Sequence, residues 1–129
     1  MNIRKLSVIL VIMVLFAGLF TGCKNKSTVP WNEFNIDSNV VKELQTEVDN
    51  GHRVGEMDPV QVTDEFLTYN LGIKGELITG HEEIVAGEGE KGYRSTLSDG
   101  RIIEVILYQP IRKDQTGIWV VKRFRILSK

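Results

Sequence analysis

One cysteine and two histidines in 129 residues remove whole classes of chemistry. Cys23 is alone, so it cannot close an internal disulfide, and a folded domain here must stand on packing. His52 and His81 lack metal-ligand spacing. A zinc site would need both of them plus carboxylates gathered by the fold, so no metal and no cofactor is expected. No serine–histidine–aspartate set, P-loop or dinucleotide glycine fingerprint is legible. The acidic runs Glu82–Glu83 and Glu88–Glu90 read as solubilising surface, not as a pair of carboxylates for acid–base work. No catalytic residue is assigned. Internal repeats and low-complexity segments are also missing. "GEGEKG", Gly87 to Gly92, is glycine-rich but joins strand to strand, so it reads as a flexible hairpin loop without a helix N-terminus to hold phosphate.

What is present begins with an address. Arg4 and Lys5 precede an apolar run, Leu6 to Phe20, of about fifteen residues. That is short for a membrane span, which needs roughly 20, and matches the apolar region of a signal peptide. Phe20, Thr21 and Gly22 then lead into Cys23. The run resembles the lipobox of bacterial lipoproteins. The resemblance implies that the Cys23 thiol receives a diacylglyceryl group and that a signal peptidase cuts before it. Residues 1–22 are then the signal peptide, and 23–30 are the lipidated cysteine and its tether. Residues 31–129 form a single domain. Two acyl chains anchor stably where one is marginal, and Lys24 and Lys26 would sit at an anionic lipid surface. The expected location is the extracytoplasmic face of the cell membrane.

Charge is unevenly distributed. Val29 to Glu90 holds three basic and fourteen acidic residues, and Lys91 to Lys129 holds nine basic and three acidic. Two readings follow: the halves attract each other within the fold, or a basic surface meets an anionic partner.

Two helices and then a sheet are expected. Asp37 to Asp49 spaces Val41, Leu44 and Val48 as a helix does, with Asp37, Ser38 or Asn39 as cap and Gly51 at the left-handed end. Asp58–Pro59 supplies a cap and a first-turn proline, and Val62, Phe66, Leu67 and Leu71 make an apolar stripe. From Leu77 onward the period changes from 3.6 to 2. Strands are expected at about Ile78 to Ala86, Tyr93 to Leu97, Arg101 to Gln109 and Ile118 to Leu127, with a tight turn at Asp99–Gly100. Pro110 ends the third strand. The fold class is α+β: two N-terminal helices packed on a four-stranded antiparallel β-meander.

Alternation assigns faces. Ile103, Val105 and Leu107 share one side of their strand, and Ile118, Val120, Phe124 and Ile126 share one side of the last. These are expected to face the helices, so that Val62, Phe66 and Leu71 bury against Ile103, Val105, Phe124 and Ile126. The opposite face would carry Ile106, Tyr108, Trp119, Arg123 and Arg125. Tyr108, Trp119, Arg123 and Arg125 form the candidate binding residues, since aromatic and Arg side chains anchor many interfaces. An ordinary half-exposed strand face is the plainer alternative. His52 is expected to close the link between the helices by hydrogen bonding.

Two further stretches resemble a family. "VDNGHRVGEMDPVQV", Val48 to Val62, and "TGIWVVKRF", Thr116 to Phe124, are similar to segments of small uncharacterised domains of bacterial lipoproteins. The element order is similar to the cystatin-like cone of nuclear-transport-factor-two-like domains, which hosts binding modules and enzymes alike. The function expected is a membrane-anchored binding or interaction module. Its partner would be an envelope protein, a wall polymer or a small ligand, and not a nucleic acid. The alternative is a small enzyme using a pocket between helices and sheet.

Overall fold

A computed structural model describes residues 29–127. The expected signal peptide, Cys23 and the expected tether as far as residue 28 lie outside the described residues, as do residues 128–129. Among the described residues no helix is long and apolar enough to cross a membrane.

The first helix, α1 (Ser38–Asp49), is capped by Asp37, whose carboxylate accepts the Asn39 N–H at 2.8 Å. Its other end closes on Gly51. That residue sits at φ +80°, a left-handed conformation that costs glycine little. The Gly51 and His52 N–H groups donate back to the Val48 and Glu47 carbonyls, so the last turn is satisfied as the sequence predicts. The His52 ring adds a 3.3 Å contact to the Glu47 carboxylate. A short 3₁₀ turn, Val54–Met57, leads to α2 (Pro59–Glu65), with Asp58 accepting the Val60 N–H at 2.9 Å. A π-helical turn, Phe66–Asn70, follows directly. It widens the helix where Phe66 and Leu67 meet the core.

The sheet has five strands: β1 (Asn32–Glu33), β2 (Ile78–Ile84), β3 (Glu90–Leu97), β4 (Ile102–Tyr108) and β5 (Val120–Leu127). All pairs are antiparallel, in the order β1-β5-β4-β3-β2. The architecture is therefore α+β, but the expectation of four strands preceded by helices is corrected. A two-residue strand comes first and pairs with Arg123 and Phe124 of β5. Two residues are too few to show alternation, so the sequence pattern could not reveal it. Glu90–Gly92, expected in a loop, begins β3. Gly92 is required there for space, because a Cβ would lie 2.8 Å from Ile84 and 2.9 Å from Ile106.

The main core joins α2 to one face of the sheet: Val62, Phe66 and Leu67 pack on Tyr93, Leu97, Ile103, Val105, Leu107 and Val121. The Phe66 ring meets Phe34 at 5.0 Å and Phe124 at 5.3 Å, both edge-on. A smaller core seats Val41 and Val48 of α1 on Ile118 and Val120, with Tyr108 beside them. Ile126, expected in the core, is instead 41% exposed. Within α1, buried Gln45 accepts the Ile118 N–H and donates to the Thr116 carbonyl at 3.0 Å, tying the helix to the approach to β5.

One irregularity reorders the faces. The β4–β5 register runs Ile106↔Arg123 and then Leu107↔Val121, leaving Lys122 as an extra residue in β5. Such a bulge inverts the alternation on either side of it. Val120 and Phe124 therefore belong to different cores, contrary to a straight count by twos.

Candidate functional site

A cavity lined by four aromatic side chains lies between α1, α2 and β5. It holds about 260 Å³ and is lined by Phe34, Ile36, Leu44, Val62, Phe66, Tyr69 and Trp119, among others. Arg53, Glu56, Glu65 and Asn70 supply its polar lining. Phe34 directly follows β1, Phe66 and Tyr69 come from the π-helical turn, and Trp119 is the residue before β5.

The rim near Trp119 is held by a strained turn. Arg53 has φ 49°, a left-handed conformation costing a residue with a Cβ roughly 1–2 kcal/mol. Its guanidinium is fixed on the largely buried Glu56 carboxylate. The Glu56 carbonyl in turn accepts the Trp119 N–H at 2.8 Å. One short turn thus sets both a charged pair on the wall and the backbone position of the indole. On the other side, Glu65 accepts from the Gln61 amide at 3.0 Å, and Tyr69 stands 82% exposed at the mouth. The space can take a small apolar group between rings while leaving a polar end near the carboxylates.

The sheet face opposite α2 is built differently. Strand register places Glu82, Arg94, Glu104 and Arg125 side by side across β2 to β5. Glu104, only 1% exposed, accepts from Arg94 at 2.7 Å and Arg125 at 2.6 Å. Burial alone would raise its pKa. The hydrogen bonds from the two arginines outweigh that and hold the carboxyl below the usual carboxylate range. Glu90 is similarly enclosed by Lys122 and Arg123. The Lys122 hydrogen bond leads in keeping its pKa low, against the upward push of burial. Trp31 covers this cluster, its ring 4.4 Å from the Arg125 guanidinium and 5.5 Å from that of Arg123. The segregated charges of the two halves of the sequence meet here, within the fold.

The proposed binding quartet is therefore not assembled on one face. Tyr108, Arg123 and Arg125 stay opposite α2, and Trp119 packs against the α2 core and lines the cavity. The bulge at Lys122 is the reason. Arg123 and Arg125 are engaged by carboxylates, and Tyr108 packs with the smaller core around α1. The residue stacked on the arginines is Trp31, which sequence reasoning assigned no role. Its only signal was compositional: Trp31 and Phe34 stand in an otherwise polar stretch. Nor was Glu90 surface, as expected of the acidic runs, since its side chain is 9% exposed.

A serine–histidine–aspartate arrangement does exist in three dimensions. His81 Nδ1 lies 2.8 Å from Ser95 Oγ, and its Nε2 lies 2.8 Å from Asp64 Oδ1. Asp64 comes from α2, His81 from β2 and Ser95 from β3. A carboxylate only accepts, so Asp64 takes the Nε2–H, and Nδ1 faces the Ser95 hydroxyl, which can both donate and accept. Ser95 has no exposed surface, so its oxygen cannot reach a substrate. The trio is a clasp that fastens α2 to the sheet. Among the described residues no group of three His, Cys, Asp or Glu side chains could hold a metal ion.

No protein-family model, curated protein or solved structure matches the chain.

Proposed function

We propose that this chain is a lipid-anchored, extracytoplasmic binding protein of bacterial lipoprotein type, and that its ligand site is the aromatic cavity beside Trp119. The lipobox-like approach to Cys23 supports the anchor. The cavity supports the binding role: four aromatic side chains converge on a small space, with few polar groups on its wall, which is how small-molecule sites are commonly built. The charged groups there favour binding over catalysis. Arg53 and Glu56 are spent on each other, and Glu65 is bonded to a neutral amide.

The test is a thermal-shift screen of the full chain against small soluble molecules, repeated on two variants. Tyr69→Ala removes an exposed ring at the mouth, and Trp119→Phe cuts back the wall and widens the space while keeping it aromatic. Compounds that raise the wild-type melting temperature should lose most of that effect in both. Unchanged shifts in both variants would place the site elsewhere. Anchorage is tested separately: Cys23→Ser should abolish lipid labelling and either release the domain or leave an unprocessed precursor. A variant processed and retained like wild type would end the lipoprotein reading.

A further inference from the structure

We propose that the cavity selects a small organic monocation, an ammonium or alkylammonium group on a short apolar body. The inference rests on the cavity being the ligand site and adds the charge of what enters it.

Two observations carry it. The first is the wall: Phe34, Phe66, Tyr69 and Trp119 surround the space. Aromatic faces attract cations through their quadrupole, most strongly where water is excluded. Trp119 already shows this chemistry inside the fold, since the Lys91 ammonium lies 5.8 Å from its ring centre. Lys91 itself does not line the cavity. The second observation is the balance of charge. Of the charged side chains on the wall, Arg53 and Glu56 neutralise each other through a direct ion pair. Glu65 has only the Gln61 amide as its hydrogen-bond partner among the described residues, so one negative charge remains facing the space.

Other ligand charges fit less well. An anion would meet Glu65 and would have to draw Arg53 away from Glu56. A neutral molecule would use the rings but gain nothing from Glu65. The cavity's 260 Å³ is slightly below the range of about 300–1,000 Å³ typical of drug-sized ligands, so the apolar body is short.

Three soluble compounds of similar shape separate these cases: phenethylammonium, phenethyl alcohol and 3-phenylpropionate. Their affinities for the full chain are measured by calorimetry. Indole fluorescence is followed in parallel in a Trp31→Phe variant, where Trp119 is the sole tryptophan. The ammonium should bind roughly fivefold or more tightly than the alcohol, and the carboxylate most weakly. Glu65→Gln should erase the preference for the ammonium, bringing its affinity down to that of the alcohol measured on the same variant. Equal affinities for ammonium and alcohol would overturn the charge selection and leave the cavity standing as a binding site. A preference for the carboxylate would reverse the assignment and make Arg53 the selecting group. No binding of any of the three would remove both this inference and the cavity reading beneath it.

Discussion

Arg125 donates to the buried carboxylate of Glu104 while its guanidinium lies 4.4 Å from the ring of Trp31. Trp31 adjoins a strand of only two residues, β1, which pairs with β5. The stacked indole therefore helps fasten the start of the domain to its last strand. Trp31→Ala should lower stability by about 1–2 kcal/mol, from lost cation–π contact and apolar cover. Amide exchange at Phe34, whose N–H donates to the Lys122 carbonyl at 2.9 Å, should quicken more than exchange in β3 or β4. Unchanged exchange there would mean that β1 holds without its tryptophan.

Glu104 has arginines on both sides and almost no access to water. Glu104→Gln leaves the Arg125 guanidinium short of its carboxylate, while Arg94 is partly exposed and keeps Glu82 at 3.9 Å. The expected loss is about 2–3 kcal/mol in chemical denaturation. A Glu104→Leu, Arg94→Leu, Arg125→Met triple variant should recover much of it, because hydrophobic substitution avoids desolvating charge.

The same carboxylates contribute to the response to acid. Glu104 and Glu90 both have pKa values depressed in the folded state. Their stabilisation is therefore fully present above the unfolded glutamate pKa of about 4.3 and lost as pH falls through the lower folded values. Unfolding free energy should be nearly flat from pH 7 to 5 as far as these groups are concerned, then decline below about pH 4. The Glu104→Gln variant should show a shallower acid decline than wild type. An identical slope would show that other groups govern it.

Phe66 sits between Phe34 and Phe124 at the junction of α2, β1 and β5. Phe66→Ala should cost on the order of 3–5 kcal/mol, a large share of the stability of a domain this small. A melting temperature unmoved by the change would contradict the packing of α2 on this face.

The clasp at His81 makes a structural prediction that a catalytic one would not share. His81→Ala leaves the buried Ser95 hydroxyl without its partner and should destabilise by about 1–3 kcal/mol. Adding Ser95→Ala to it should restore part of the loss, since the orphaned group is then gone. Additive losses in the double variant would deny the bond between them.

The sequence by itself determined the local elements, because their causes are local. Asp37 and Asp58 cap helices with their own carboxylates, Gly51 takes a conformation that disfavours a Cβ, and Asp99–Gly100 turns β3 into β4. The α2 stripe and the Ile103, Val105, Leu107 set were legible for the same reason: period alone says which side is apolar. Tertiary structure decided what depends on residues far apart meeting. The extra Lys122 inverts the faces of β5, and a pattern count cannot see a bulge that only pairing with β4 defines. That single inversion moved Trp119 from the company of Arg123 and Arg125 into the cavity, and it left the arginines to Trp31. Asp64, His81 and Ser95 became neighbours because α2 lies across β2 and β3. Glu90 and Glu104 became buried because cations from β3 and β5 were brought against them, and only the folded chain places those charges within reach.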